Sequence, residues 1–226
     1  MYKLFTYREA LSKMKKISKY QHLKCTFWIG IASVIVLVIS FIMQDSPFVS
    51  ILQNIFAGLV TGTVVTLISS LKSKELKDAE IEDEFMKEVR ELYRSSRAAF
   101  GEYKKHRKEQ DDTYSDAIYE LVAELQEIED FIGMKNKNAN LVRILGKKPS
   151  DFFDEEENYS FSEQNKRYDD LYECINSSLV YDEEKRKTID QQIEAIRRAH
   201  SIVNRKALNR SNEISNEKIE IETSVP

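Results

Sequence analysis

Three histidines, two cysteines and one run of four acids are the residues in this chain with the most chemical potential, and their spacing offers little. His22, His106 and His200 are far apart and form neither H-E-x-x-H nor a Cys/His cluster with zinc spacing. Glu102 and His106 stand four apart on one helical face, which reads as a solvated ion pair. Di-metal carboxylate bundles need Glu-x-x-His from two helices, and no helix here carries it. Arg197-Arg198-Ala199-His200 lacks the longer Arg-to-His spacing of helical-bundle ribonucleases. Asp154-Glu155-Glu156-Glu157 reads as a solvated acidic loop. Phosphate-binding and dinucleotide fingerprints are absent as motifs. The expectation is a protein that is not an enzyme and carries no cofactor and no metal site.

Cys25 and Cys174 make no disulfide framework and are expected on one reducing side. The proline-poor, Lys/Ile/Glu/Asn-rich style suggests a bacterial source.

The more informative spacing is apolar. Charged residues make up 32% of 226 residues, yet Cys25 to Gln44 and Ser46 to Leu71 hold none. A bilayer core of roughly 30 Å needs about 20 apolar helical residues, so each run is long enough to span it. Residues 39–44 lack the small-residue pair of a signal cleavage site, and a second apolar run follows at once. The reading is a transmembrane hairpin over 25–71, with helices at about 25–43 and 48–71.

The second run carries a ridge. Ser50, Asn54, Gly58, Gly62, Thr66 and Ser70 recur every fourth residue, and Gly58 to Gly62 is a small-xxx-small motif that lets helix backbones approach closely. The ridge either packs, on the first helix or on a copy of itself, or lines a pore. At 100° per residue it drifts about 40° per step, so only helices crossing with tilt keep it on one axis. The first run, rich in Val and Ile over 34–39, suits lipid contact.

Charge fixes the expected orientation. Residues 1–24 hold seven Lys/Arg and one acid, the loop holds Asp45, and Lys72, Lys74 and Lys77 follow the second run. The positive-inside rule then places both termini in the cytoplasm of a cell whose inner membrane the hairpin crosses. Residues 6–20 fit a basic amphipathic helix opened by Thr6-Tyr7-Arg8-Glu9, with Lys13, Lys15, Lys16, Lys19 and Lys24 facing lipid headgroups. Residues 72–226 carry −9, which argues against nucleic acid as a partner.

Those features are held by helices. The second run is expected to continue as one helix to about 108. Stripes then predict helices over 113–132 (Tyr114, Ile118, Leu121, Leu125, Ile128, Ile132), 139–145, 162–179 and 183–208. Gly133 is expected as a C-terminal cap, Pro149 as a helix breaker in an acidic loop over 146–162, and 210–226 as a disordered tail. The fold class is thus an all-α membrane protein: a basic lead (1–24), a transmembrane hairpin (25–71) and a cytosolic helical bundle or coiled-coil-like domain (72–209).

A short lead, a tight membrane hairpin and cytosolic helices resemble bacterial two-helix conflict effectors in architecture. That resemblance implies an oligomer that permeabilises the membrane under control of its cytosolic part. The reading preferred on the residues is a homo-oligomeric membrane anchor or scaffold that contacts lipids and a cytosolic protein partner; the pore is the alternative.

Overall fold

A computed structural model describes residues 20–42, 47–109, 114–154, 160–176 and 183–223. Every regular element among the described residues is an α-helix: α1 (Gln21–Ile42), α2 (Pro47–Glu109), α3 (Tyr114–Lys135), α4 (Ala139–Leu145), α5 (Pro149–Phe153), α6 (Phe161–Asn176) and α7 (Glu183–Thr223). The chain divides into two compact units, Met1–Lys77 and Asp78–Pro226. The helix expected over 6–20, with Lys13, Lys15, Lys16 and Lys19, lies outside the described residues apart from Tyr20.

Two helices are long and apolar enough to cross a membrane, α1 and the first part of α2. Only 11% and 6% of their most apolar windows are buried. A core helix of a water-soluble domain buries most of such a window, and these do not.

In the first unit α1 and the start of α2 run antiparallel. Gly30 meets Thr63, and Gln53 Nε2 donates to the Ser40 carbonyl at 3.2 Å. Tyr20, Leu23, Leu67 and Leu71 close the other end, with Lys74 Nζ 5.0 Å from the Tyr20 ring centroid. A Cβ on Gly30 would stand 2.8 Å from Thr63 Cγ2, so the approach depends on glycine there. Ser33 and Ser40 are buried and donate to the carbonyls of Ile29 and Leu37 in their own helix, so their hydroxyls need no other partner. The small face of α1, not its Val/Ile face, makes the helix contact.

In the second unit the apolar stripes close a core in two parts. One gathers Phe100, Tyr103, Leu121, Tyr168, Ile193 and Ile196; the other gathers Phe85, Met86, Ile128, Ile132, Phe153 and Val203. All six expected stripe residues of α3 are buried, as are Ile189, Ile193, Ile196, Ala199 and Val203 of α7.

Three expectations are corrected. Gly133 does not cap α3, which runs to Lys135; it lies inside the helix with Phe161 Cζ 3.4 Å from where a Cβ would stand. Pro149 does not break helix but begins α5 at its first turn, where its missing N–H costs nothing. The tail is not aperiodic coil: α7 continues to Thr223, with Ser211 and Ile214 buried. The stripe Val203, Ala207, Ser211, Ile214 continues the apolar face through small residues, and polar contacts replace hydrophobic contrast. Arg210 grips Glu82 through two bonds (2.6 and 3.3 Å), Ser211 donates to Asp83, and Arg90 donates to the Ser211 hydroxyl at 3.2 Å. The carboxyl of Asp83 feels burial pushing its pKa up, but the Ser211 and Lys87 contacts outweigh it and hold it below the usual range. α4 is as expected, with Asn138 accepting from the amides of Asn140 and Leu141, and Gly146 ending it at φ 76°.

Candidate functional site

The small-polar ridge of α2 lies off the contact with α1. Ser50, Asn54, Gly58, Gly62 and Thr66 are exposed, Ser70 is half-buried, and neither Gly58 nor Gly62 has a neighbour within 4 Å of where a Cβ would stand. The face of α2 that meets α1 instead carries Gln53, Thr63, Leu67 and Leu71. The two series are out of step. Asn54 follows the seam residue Gln53, whereas Gly62 and Thr66 precede Thr63 and Leu67. One residue is 100° of helix, so the ridge winds across the back of α2 from one flank of the seam to the other. That is the drift its four-residue spacing dictates. Thr61 and Ser69 are exposed on the same outward surface, and Thr61 donates to the Ala57 carbonyl at 3.0 Å. Lys24, the one predicted headgroup lysine that is described, is exposed.

The second unit buries a polar cluster that no spacing announces. Glu129 of α3, Tyr168 of α6 and His200 of α7 are each wholly buried. Tyr168 Oη donates to the Leu125 carbonyl at 3.0 Å. A phenol has one proton, so the 2.7 Å contact between Tyr168 Oη and His200 Nε2 is donated by the histidine. Glu129 Oε1 is 3.3 Å from the same nitrogen. Burial first, and the Glu129 carboxylate second, push the Tyr168 pKa far up, so the phenol stays protonated. His200 Nδ1 has no hydrogen-bond partner among the described residues.

Beside this cluster, α2 and α7 form the walls of two neighbouring cavities of about 600 and 450 Å³ that share Phe100 and Lys104. Arg197 lies 4.7 Å and Lys104 4.8 Å from the Phe100 ring centroid. Asp190 accepts from Tyr103 and pairs with Arg107 at 2.6 Å. Burial nevertheless dominates and raises the Asp190 carboxyl to about 6. A carboxyl raised in the folded state binds its proton more tightly there than when unfolded. Its contribution to stability is therefore full below the unfolded carboxyl pKa and is lost as pH rises through about 6. Carbon NMR of Asp190 should show a midpoint near 6, and Asp190→Asn should flatten the fall in stability between pH 4 and 7. A midpoint near 4 contradicts this.

The other chemically suggestive residues stay apart. The half-buried His106 has Nε2 3.8 Å from the exposed Glu102, and Cys25 and Cys174 form no disulfide among the described residues. No group of three His, Cys, Asp or Glu among the described residues is placed to hold a metal. No known protein family matches the chain, and no characterised protein or solved structure shows significant similarity to it.

Proposed function

We propose that the chain is a two-span protein of a bacterial inner membrane, with both termini cytoplasmic, that self-associates through the α2 ridge. Its helical second unit then acts as a platform for a cytosolic protein partner. The observation that carries this reading is that the hairpin closes on Gly30, Ser33 and Thr63 and leaves the ridge bare. Two apolar helices so little buried need a non-aqueous surrounding, and the basic flanks orient them. In lipid, bare small residues favour close helix approach, and a bare Asn54 favours a hydrogen bond to another helix. The winding of the ridge suits a tilted crossing between copies, near the −40° typical of such motifs.

Energy transfer between labelled copies in liposomes tests it. Packing and cross-helix bonding of this kind are worth about 1–2 kcal/mol, so Gly62→Leu or Asn54→Leu should weaken association about tenfold. Association unchanged in both variants sinks the reading.

A second reading rests on the polar residues on and beside the ridge. Asn54, Thr61, Thr66 and Ser69 together make a wider polar strip than packing needs. Wetted in an oligomer, that strip lines a pore, and the protein is a membrane-permeabilising effector controlled by its helical unit. Ion leakage on expression that Asn54→Leu abolishes selects the pore; an intact membrane potential at high expression selects the anchor.

A further inference from the structure

The cleft between α2 and α7 is positively charged within an acidic part of the chain. Residues 72–226 carry −9 overall. Yet Arg97, Lys104 and Arg107 from α2 and Lys187, Arg197 and Arg198 from α7 line the two cavities, against Asp190 and Glu194. The acids are already engaged: Asp190 with Arg107, and Glu194 with Arg197 at 2.9 Å and Arg198 at 3.5 Å. Arg97, Lys104 and Lys187 have no acidic partner among the described residues. Clustered like charges in a concave, partly apolar wall are unfavourable when empty and focus a field on any anion that enters.

A second observation lies at the back of the smaller cavity. His200 forms part of its wall, is wholly buried, and has Nδ1 unpartnered while Nε2 is committed to Tyr168 and Glu129. Nδ1 is thus a buried ring nitrogen in want of a partner. A buried polar atom without a partner beside a cationic cavity is what a bound anion would satisfy.

We propose that this cleft binds a multiply charged phosphate ligand through Arg97, Lys104 and Arg197, with His200 Nδ1 as the innermost contact. Guanidinium forks match phosphate oxygens in pairs, and several cations together suit a dianion or more rather than one carboxylate. The inference is independent of the ridge and of the membrane reading.

The test uses the full chain in a non-ionic detergent, with histidine labelled by nitrogen-15 and inorganic pyrophosphate as the probe. The expected result is saturable binding that moves the His200 Nδ1 resonance more than those of His22 and His106. Arg97→Ala and Lys104→Ala should each weaken binding about tenfold, Arg97→Ala without changing the thermal midpoint, because its side chain is exposed and pairs with no acid among the described residues. A soluble short-chain phosphatidic acid forms the second arm. Binding of that probe alone, with the same variant losses, assigns the phosphate to a lipid headgroup; binding of pyrophosphate assigns it to a free ligand. No saturable binding of either probe, or full affinity in both variants, overturns the proposal.

Discussion

Glu129→Ala should lower the unfolding free energy of the full chain by about 3–5 kcal/mol, because it strips one partner from a wholly buried polar cluster. His200 then holds an Nε2–H shared only with Tyr168, in a site closed to water, and a small void replaces the carboxylate. Glu129→Gln keeps the volume and an acceptor oxygen, so its cost should be smaller. The pair is also expected to be strongly non-additive. Glu129→Leu with His200→Leu removes both polar partners, and should cost less than the two single changes summed. Urea unfolding followed by circular dichroism measures all three. A loss under about 1 kcal/mol for Glu129→Ala contradicts a buried carboxylate that is engaged as described.

The second large effect concerns the end of α7. Deleting residues 210–226 removes the guanidinium that pairs with Glu82, the hydroxyl that meets Asp83 and the buried Ile214 side chain. Leaving two part-buried carboxylates without those partners, together with losing one isoleucine from the core, should cost about 3–5 kcal/mol. Ser211→Ala alone should cost about 1–3 kcal/mol, since Asp83 and Arg90 both lose a contact. Limited proteolysis gives the same answer by another route: the full chain should resist cleavage at Arg205 and Arg210, and Ser211→Ala should speed cleavage there. A truncated chain as stable as the whole one contradicts the packing of this segment.

That segment also shows where sequence reasoning ends. The stripes of α3 and of α7 up to Val203 were legible because Ile and Leu at three- and four-residue spacing differ sharply from the charges between them. Beyond Arg205 the contact face switches to Ala207, Ser211 and a guanidinium. Hydropathy has no contrast left there, although the same helical face is still buried. Pro149 and Gly133 were misread for a related reason. Both are punctuation residues by propensity, but one sits where a helix begins and the other where the Phe161 ring needs room.

The ridge was legible as a pattern, and its position was not. The α2 face that meets α1 carries Gln53, Thr63, Leu67 and Leu71, not its slimmest stripe; Gly30, Ser33 and Ser40 of α1 supply the slim side of the contact and receive those larger side chains. The cluster of Glu129, Tyr168 and His200 gave no signal at all. Its members come from three helices, and each looks ordinary in its own neighbourhood. The cationic cleft had the same fate, because its residues are interleaved with acids along both helices and only the fold sorts them to one wall.

Cysteine cross-linking in native membranes addresses the association of copies through the ridge most directly. With Cys25→Ser and Cys174→Ser as background, single cysteines at Asn54, Gly58 and Gly62 would be oxidised and compared with cysteines at Phe41 and Val64, two exposed apolar positions off the ridge. Rapid dimer formation is expected at the ridge positions and little at the other two. Equal, slow cross-linking at all five positions would contradict it, and would leave the hairpin as a solitary anchor.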